Sequence, residues 1–565
     1  MIDEHDPISS ESESSGDEDD KSLSDVLLVW VNKYGITHNA IDNLLKKLRK
    51  QGHADLPKTA RSLLNTVKHI PTETKSGMMY IYLGLEEEML KTLRLYPKST
   101  IRDLAEISLI CNIDGLPIYR SKNESLWPVL CAINNVKPIR VFPVVLTYGS
   151  SKPSCGNRPD LNKIMHYGFK NDDKTLSVKL KGVICDAPAK AMMKAIKLHS
   201  GYFGCDRCTQ EGVWNGRMTY QQVKNLQLRT DEDFRNQSNS QHHHGRSPFC
   251  DLNINMVSTF PIDYMHQICL GVMKRLLLAW IRNKNVKLCA RQVDEISQRL
   301  IQLTKFVPMH FARKPRSLSE VDRWKATEYR QLLLYTGKIV LKGILPKELY
   351  DHFLTLSVAI SILVSPKLIQ LNYSQYAHDL LLYFVLKARE LYGKDFLVYN
   401  VHCLTHTSSD AKEFGSLDRC SAFPFENYLQ QVKNIVRSSK NPLVQIAKRL
   451  KEMQHSQRIY TPNTEHKIYT KAPNNAYLLN NETCCQVLDT VSDTDENGDS
   501  MFLCRVYSRS IPLFEKPCNS KLIGSFKVLT RNSSMKVIPA RKLNRTGMMI
   551  ETESANTFLP ILHDL

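Results

Sequence analysis

The run Ile107-Ser-Leu-Ile-Cys-Asn-Ile-Asp114-Gly115 constrains this chain more than any other stretch. Apolar, β-prone residues lead straight into a carboxylate, and Gly115 lets the backbone turn directly after it. Two further extended runs follow, Leu126–Ile133 and Ile139–Thr147, and then a fourth, Leu176–Cys185, which ends at Asp186. Residues 187–198 read as a helix, with Pro188 acceptable in its first turn. One sheet-and-helix unit therefore carries two carboxylates at strand ends. That placement suits a two-metal site, in which hard oxygen ligands bind partly hydrated Mg²⁺. An Asp after a strand is also a common turn residue or helix cap, so its company has to decide.

That company is extensive. Cys205 and Cys208 lie 19 and 22 residues beyond Asp186, and the CxxC spacing can set both thiolates on one Zn²⁺ at about 2.3 Å. The same spacing also serves redox pairs, which normally follow a strand at a helix N-terminus. His402 and His406 are four residues apart and face the same way if helical. Glu426 follows 20 residues after His406, in Phe423-Pro-Phe-Glu426.

Asp, Asp, CxxC, HxxxH and a late Glu, in that order, resemble the DDE transposases of the CACTA (En/Spm) superfamily. The Cys and His placement also resembles the antigen-receptor recombinase catalytic core. Trp127-Pro128, Cys205-Asp-Arg-Cys208, Asp263-Tyr-Met-His266 and Phe423-Pro-Phe-Glu426 carry the likeness, which covers roughly residues 105–455. The resemblance implies a ribonuclease-H-like α/β core in which Asp114, Asp186 and Glu426 bind two Mg²⁺ or Mn²⁺ ions and catalyse DNA cleavage and strand transfer. It implies that Cys205, Cys208, His402 and His406 hold one structural Zn²⁺. It further implies DNA partners (terminal repeats of a transposable element and target DNA), a homo-oligomer on DNA, and a nuclear location. A host-adopted derivative without strand transfer, an ordinary ribonuclease-H-like nuclease and a purely structural zinc protein compete with this reading.

Charge agrees with a phosphate-rich partner. Lys and Arg total 76 against 57 acids, a net charge of +19; the first twenty residues hold nine acids and no Lys or Arg, so the remainder carries +28. A merely basic protein has the same signature. The start is acidic, unlike a signal peptide, and the longest apolar stretch, around Leu356–Val364, is too short for a bilayer, so no membrane partner is expected. Fifteen scattered cysteines read as reduced thiols plus one metal pair.

The composition divides the chain into seven parts. Residues 1–22 are an acidic, Ser-rich tail expected to be disordered. Residues 23–69 read as three short helices, with Val26, Leu27, Val29 and Trp30 on one apolar face, Thr37 capping the second helix and Pro57 starting the third. Lys46, Lys47, Arg49 and Lys50 end the second helix, which fits either a helix-turn-helix-like DNA module or a packing domain with a solvated basic face. Residues 70–103 form a connector with a helix over Leu83–Leu95. The core opens over 104–210 and closes over 401–459, around a mainly helical insertion at 211–400. Gly149–Gly156 lacks the spacing of a phosphate-binding loop, and His242-His-His reads as a flexible loop. Asp263 is as well suited to capping a helix as to a site. If Phe423–Arg437 is helical, Glu426, Gln430, Lys433 and Arg437 share a stripe on which Lys433 and Arg437 contact DNA phosphate. Residues 460–565 alternate strand-like runs with Asn/Asp/Gly turns, predicting a β-rich domain.

Overall fold

The computed structural model describes residues 22–119, 121, 123–150, 161–171, 174–457, 467–479, 483–552 and 555–563. The acidic tail through residue 21 and most of the Gly149–Gly156 loop lie outside the described residues.

The architecture is mixed α/β. Its first sheet contains β1 (Glu73–Lys75), β2 (Met78–Tyr82), β3 (Glu106–Ile113), β4 (Leu116–Pro117), β5 (Ser125–Ile133), β6 (Val141–Gly149), β7 (Phe169–Asn171) and β8 (Lys174–Ile184). The order is β1-β2-β6-β5-β3-β8-β7, with β4 paired to β5. Neighbours run antiparallel except β3 and β8, which are parallel. The connector expected over 70–103 thus contributes two strands as well as the helix Leu85–Leu93.

The burial of β3 follows its alternation. Ile107, Leu109, Cys111 and Ile113 pack with the helix Leu85–Leu93 and the helix Ala187–Lys194, whereas Ile110 joins the core of the helical insertion. A strand covered on both faces reads as a nearly continuous apolar run, which is why this one stood out. Gly115 is required by a close approach: an added Cβ would sit 2.7 Å from Cζ2 of Trp127.

The insertion is built around the helix Lys347–Leu363, almost wholly buried, and packs against Ser374–Tyr392. Two segments inside it are wound as π-helix, Met265–Met273 and Leu332–Thr336. Residues 195–262, which include the first part of the expected insertion at 211–400, are mostly irregular but packed, so the continuous helical part begins only at Met265. The expected flexible His loop is one correction: His242 is fully buried and its Nδ1 lies 2.6 Å from the Phe203 carbonyl oxygen.

The chain then returns to the first sheet with the helix Phe423–Asn434 and the helix Pro442–Gln457. The latter buries Leu443, Ile446 and Leu450 against Leu126 and Leu146 of the sheet. Beyond it lies an antiparallel eight-stranded sheet from Ala476 to Pro560, so the C-terminal region is β-rich as predicted. It shares its core with the insertion through Leu513, Phe514, Met548 and Leu562.

The N-terminal helices are Leu23–Lys33, His38–Lys50 and the single turn Ala60–Leu63. Thr37 caps the second as expected, accepting from Ala40 N–H at 3.3 Å, but Thr59 caps the third, not Pro57. The first helix buries Leu28 and Val31, packs Leu27 partly against the same core and leaves Val26 and Trp30 exposed, so the apolar face is turned from the expected one. Val26 to Val31 is apolar without interruption, so periodicity had no polar side to exclude. No helix among the described residues is long and apolar enough to cross a membrane.

Candidate active site and metal centre

The parallel pairing of β3 with β8 brings the two aspartates together. Asn112 lies opposite Ile184 in the register; Asp114 and Asp186 each lie two residues further, at adjacent C-terminal strand ends. Asn112 also donates across the pair to the Ile184 carbonyl at 2.9 Å. Glu426, 240 residues beyond Asp186, occupies the first turn of the helix Phe423–Asn434. All three carboxylates are half-buried and reachable from solvent.

The tightest group is Asp114, His266 and Glu426, whose ligand-type atoms lie within 4.8 Å of one another. Asp186 stands outside it; Asp186 Oδ1 accepts from Ala189 N–H at 2.7 Å and caps the Ala187–Lys194 helix. Its charge still reaches the group. Burial, then the charges of Asp186 and Glu426, push the Asp114 carboxyl up to about 7. Carboxylates crowded in this way favour a cation among them.

His266 was recognisable only as part of a family segment, and Asp263 explains its position. Asp263 Oδ1 accepts from the backbone N–H of Met265 (3.1 Å) and Ala422 (2.8 Å), and Oδ2 from that of His266 (3.1 Å), so the residue both caps its helix and fixes the start of the Glu426 helix. Oδ2 also meets His266 Nδ1 at 2.5 Å. Burial opposes the imidazolium, but Asp263, Asp114 and Glu426 outweigh it and raise His266 to about 9.

A second cluster is fully buried: Cys205, Cys208, His402 and His406 form a group able to hold a metal ion. The donor atoms are spaced as a tetrahedron requires. Sγ of Cys205 and Cys208 are 3.6 Å apart, Nε2 of His402 and His406 3.3 Å, and the Cys208–His402 and Cys205–His406 distances are 3.3 and 3.8 Å. Zn–S of about 2.3 Å and Zn–N of about 2.05 Å give tetrahedral edges near 3.8, 3.3 and 3.6 Å for S–S, N–N and S–N, so the set is compatible with zinc. The HxxxH segment is broken by a 3₁₀ turn over Cys403–Thr405, yet its rings converge. Burial opposes a thiolate at Cys205, but the Cys208 thiol and the two imidazoles hold it well below the usual thiol range. Gly204 precedes the pair because a Cβ there would lie 2.3 Å from the Leu198 carbonyl oxygen.

The two residues between the cysteines link the clusters. Asp206 pairs with Lys190 (3.2 Å) and Lys194 (3.3 Å) of the helix that Asp186 caps. Arg207 donates to both oxygens of Asp410 at 2.7 and 2.9 Å, one turn beyond His406. Asp410 Oδ2 also accepts from Ile262 N–H at 2.7 Å, immediately before Asp263. All five charged residues are buried. The only advance signal was Lys190 and Lys194 at helical spacing, which ordinarily marks a solvated face.

The expected DNA contacts divide. Lys46, Lys47, Lys50 and Lys433 are exposed. Arg49 is half-buried and donates to the carbonyls of Ala54 (2.5 Å) and Leu56, so it braces the following loop. The Glu426 helix ends at Asn434, which removes Arg437 from the expected stripe; its guanidinium donates to the Gly35 carbonyl instead. Arg449 completes the dock of the N-terminal helices, meeting His38 at 2.6 Å and Glu452 at 2.7 Å.

Among comparisons with known proteins, residues 438–561 match a family described as "Domain of unknown function (DUF8592)". The match spans the Pro442–Gln457 helix together with the C-terminal sheet, so this unit begins before the composition change at about residue 460. No curated protein matches the chain.

Proposed function

We propose that this protein is a DDE-type DNA transposase of the kind that the CACTA superfamily represents, with a ribonuclease-H-like core. The observation that carries the reading is the return of Glu426, across 240 residues, to the strand ends that hold Asp114 and Asp186. The strand order β6-β5-β3-β8, with only β3 and β8 parallel, supports the core assignment. Exposed Lys46, Lys47, Lys50 and Lys433 on a strongly basic chain support DNA as the partner.

Asp114 and Glu426, with Asp186 beside them, would hold two Mg²⁺ or Mn²⁺ ions; the oxygen donors fit a hard cation, and their mutual repulsion calls for one. Such ions supply Lewis-acid stabilisation of an in-line phosphodiester displacement. Asp263 holds His266 beside Asp114 and Glu426, where its imidazolium would add a positive charge to the site. Cys205, Cys208, His402 and His406 would hold one Zn²⁺ that ties the region behind Asp186 to the approach to the Glu426 helix. Pairing of two DNA ends calls for a homo-oligomer in the nucleus.

Asp114→Asn, Asp186→Asn and Glu426→Gln, each tested in Mg²⁺ or Mn²⁺ on DNA with the element's own ends, should abolish cleavage while DNA binding survives. Cleavage that persists in one of them removes that residue from the site. A DNA-binding derivative without strand transfer is favoured by one observation, the use of Asp186 as a helix cap outside the tight group. Wild-type binding without cleavage would establish that alternative.

A further inference from the structure

The Glu426 helix has a second face. Phe423, Asn427 and Gln431 form one wall of a cavity of 1740 Å³. Its other walls come from the β5–β6 connection, the helical insertion, the Pro442–Gln457 helix and the C-terminal sheet; Asp114, Asp186, His266 and Glu426 do not line it.

The lining is predominantly cationic, with Glu88, Asp418 and Asp499 as its acids. Lys91 and Arg541 are taken up by Glu87 and Glu88 and by Asp495 and Asp499 respectively. Arg140, Arg330, Lys467 and Arg545 also face the space. Arg330 stacks 4.1 Å from the Phe423 ring, Arg140 lies 5.4 Å from Tyr96 and Lys467 5.9 Å from Tyr469. Ring contacts of this kind orient a cation without neutralising it.

A space of 1740 Å³ among these cations suits an anionic occupant larger than a single ion. We propose that this cavity binds a phosphate-bearing ligand, either a free nucleoside polyphosphate or the backbone of a single strand. Arg140, Arg330, Lys467 and Arg545 hold its phosphates. The proposal is independent of the metal chemistry at the carboxylates. Because one wall is the back of the Glu426 helix, occupancy bears on that helix.

Titration calorimetry on the full chain tests it with three probes: inorganic tripolyphosphate, ATP and a short oligothymidylate. At least one should bind the wild type, and the Arg140→Gln/Arg545→Gln double variant should bind it roughly tenfold or more weakly, the effect expected from losing charged hydrogen bonds to phosphate. Tripolyphosphate or ATP binding without oligothymidylate identifies a free polyphosphate; the converse identifies a strand. If the double variant fails to fold, Lys467→Gln, at an exposed position of the lining, decides by weakening the same probe. Absence of binding by all three, or equal affinity in folded wild type and variants, overturns the proposal.

Discussion

Replacing Asp114 by Asn should stabilise the metal-free protein at alkaline pH while destroying its proposed chemistry. The folded Asp114 carboxyl sits near 7, against 3.8 for the free side chain. Its folded form therefore binds a proton more tightly than the unfolded one, and the associated stability is present at low pH and lost as pH rises from about 4 through 7. A shift of three units corresponds to about 4 kcal/mol; because the site is half-open to water, about 2 kcal/mol is the appropriate expectation. Asn keeps the shape and never ionises. At pH 8, with chelator present, Asp114→Asn should melt roughly 2 °C above wild type, given the entropy of unfolding a chain of this size. At pH 4.5 the two should nearly coincide. Millimolar Mg²⁺ should then raise the wild type and leave the variant unmoved. The assay is thermal unfolding followed by circular dichroism, with and without the ion. A variant less stable at pH 8, or a difference that ignores pH, would refute the claim that burial and the neighbouring carboxylates disfavour the Asp114 anion.

Other consequences are testable separately. Purified protein should carry about one Zn²⁺ per chain, and a Cys205→Ser, His406→Ala double variant should lose it and unfold at lower temperature; elemental analysis showing full zinc in that variant would remove the four-ligand site. Asp206→Asn should destabilise the fold by about 3 kcal/mol in denaturant titration, since it leaves Lys190 and Lys194 buried against a neutral group; a change below 1 kcal/mol would mean that water reaches the pair. Changing Lys46, Lys47 and Lys50 to Gln should reduce the log–log salt slope of DNA binding by roughly 0.9 for each phosphate that is no longer neutralised, whereas Arg49→Gln should instead lower stability. An unchanged slope and affinity in the triple variant would leave residues 23–69 as a packing domain.

What could be read from the sequence depended on how local its cause was. Asp114 and Asp186 were visible because each directly follows an apolar run, and the cysteine and histidine spacings are short enough to imply geometry. Glu426 was placed by resemblance; nothing in its own helix dictates that the chain return to β3 and β8 after the insertion. His266 joins the carboxylates only because Asp263 turns it there, a contact between neighbours whose outcome depends on where the Ala422 backbone lies. Nothing local announced the burial of Lys190, Lys194, Asp206, Arg207 and Asp410, since the partner that permits burial of each lies elsewhere in the chain. Periodicity failed on Leu23–Lys33 because every position from Val26 to Val31 is apolar. Arg49 and Arg437 illustrate a further limit: their charge suggested phosphate, but loop carbonyls had the prior claim on both guanidinium groups.

The central claim is that Asp114 and Glu426, with Asp186 at their side, form a divalent-cation site. Crystals soaked in Mn²⁺ and measured at the manganese absorption edge address it directly. An anomalous peak bridging Asp114 and Glu426, lost in Glu426→Gln crystals, is the predicted result. A map with no peak there, while His266 remains bonded to Asp263 and closes against both carboxylates, would contradict it.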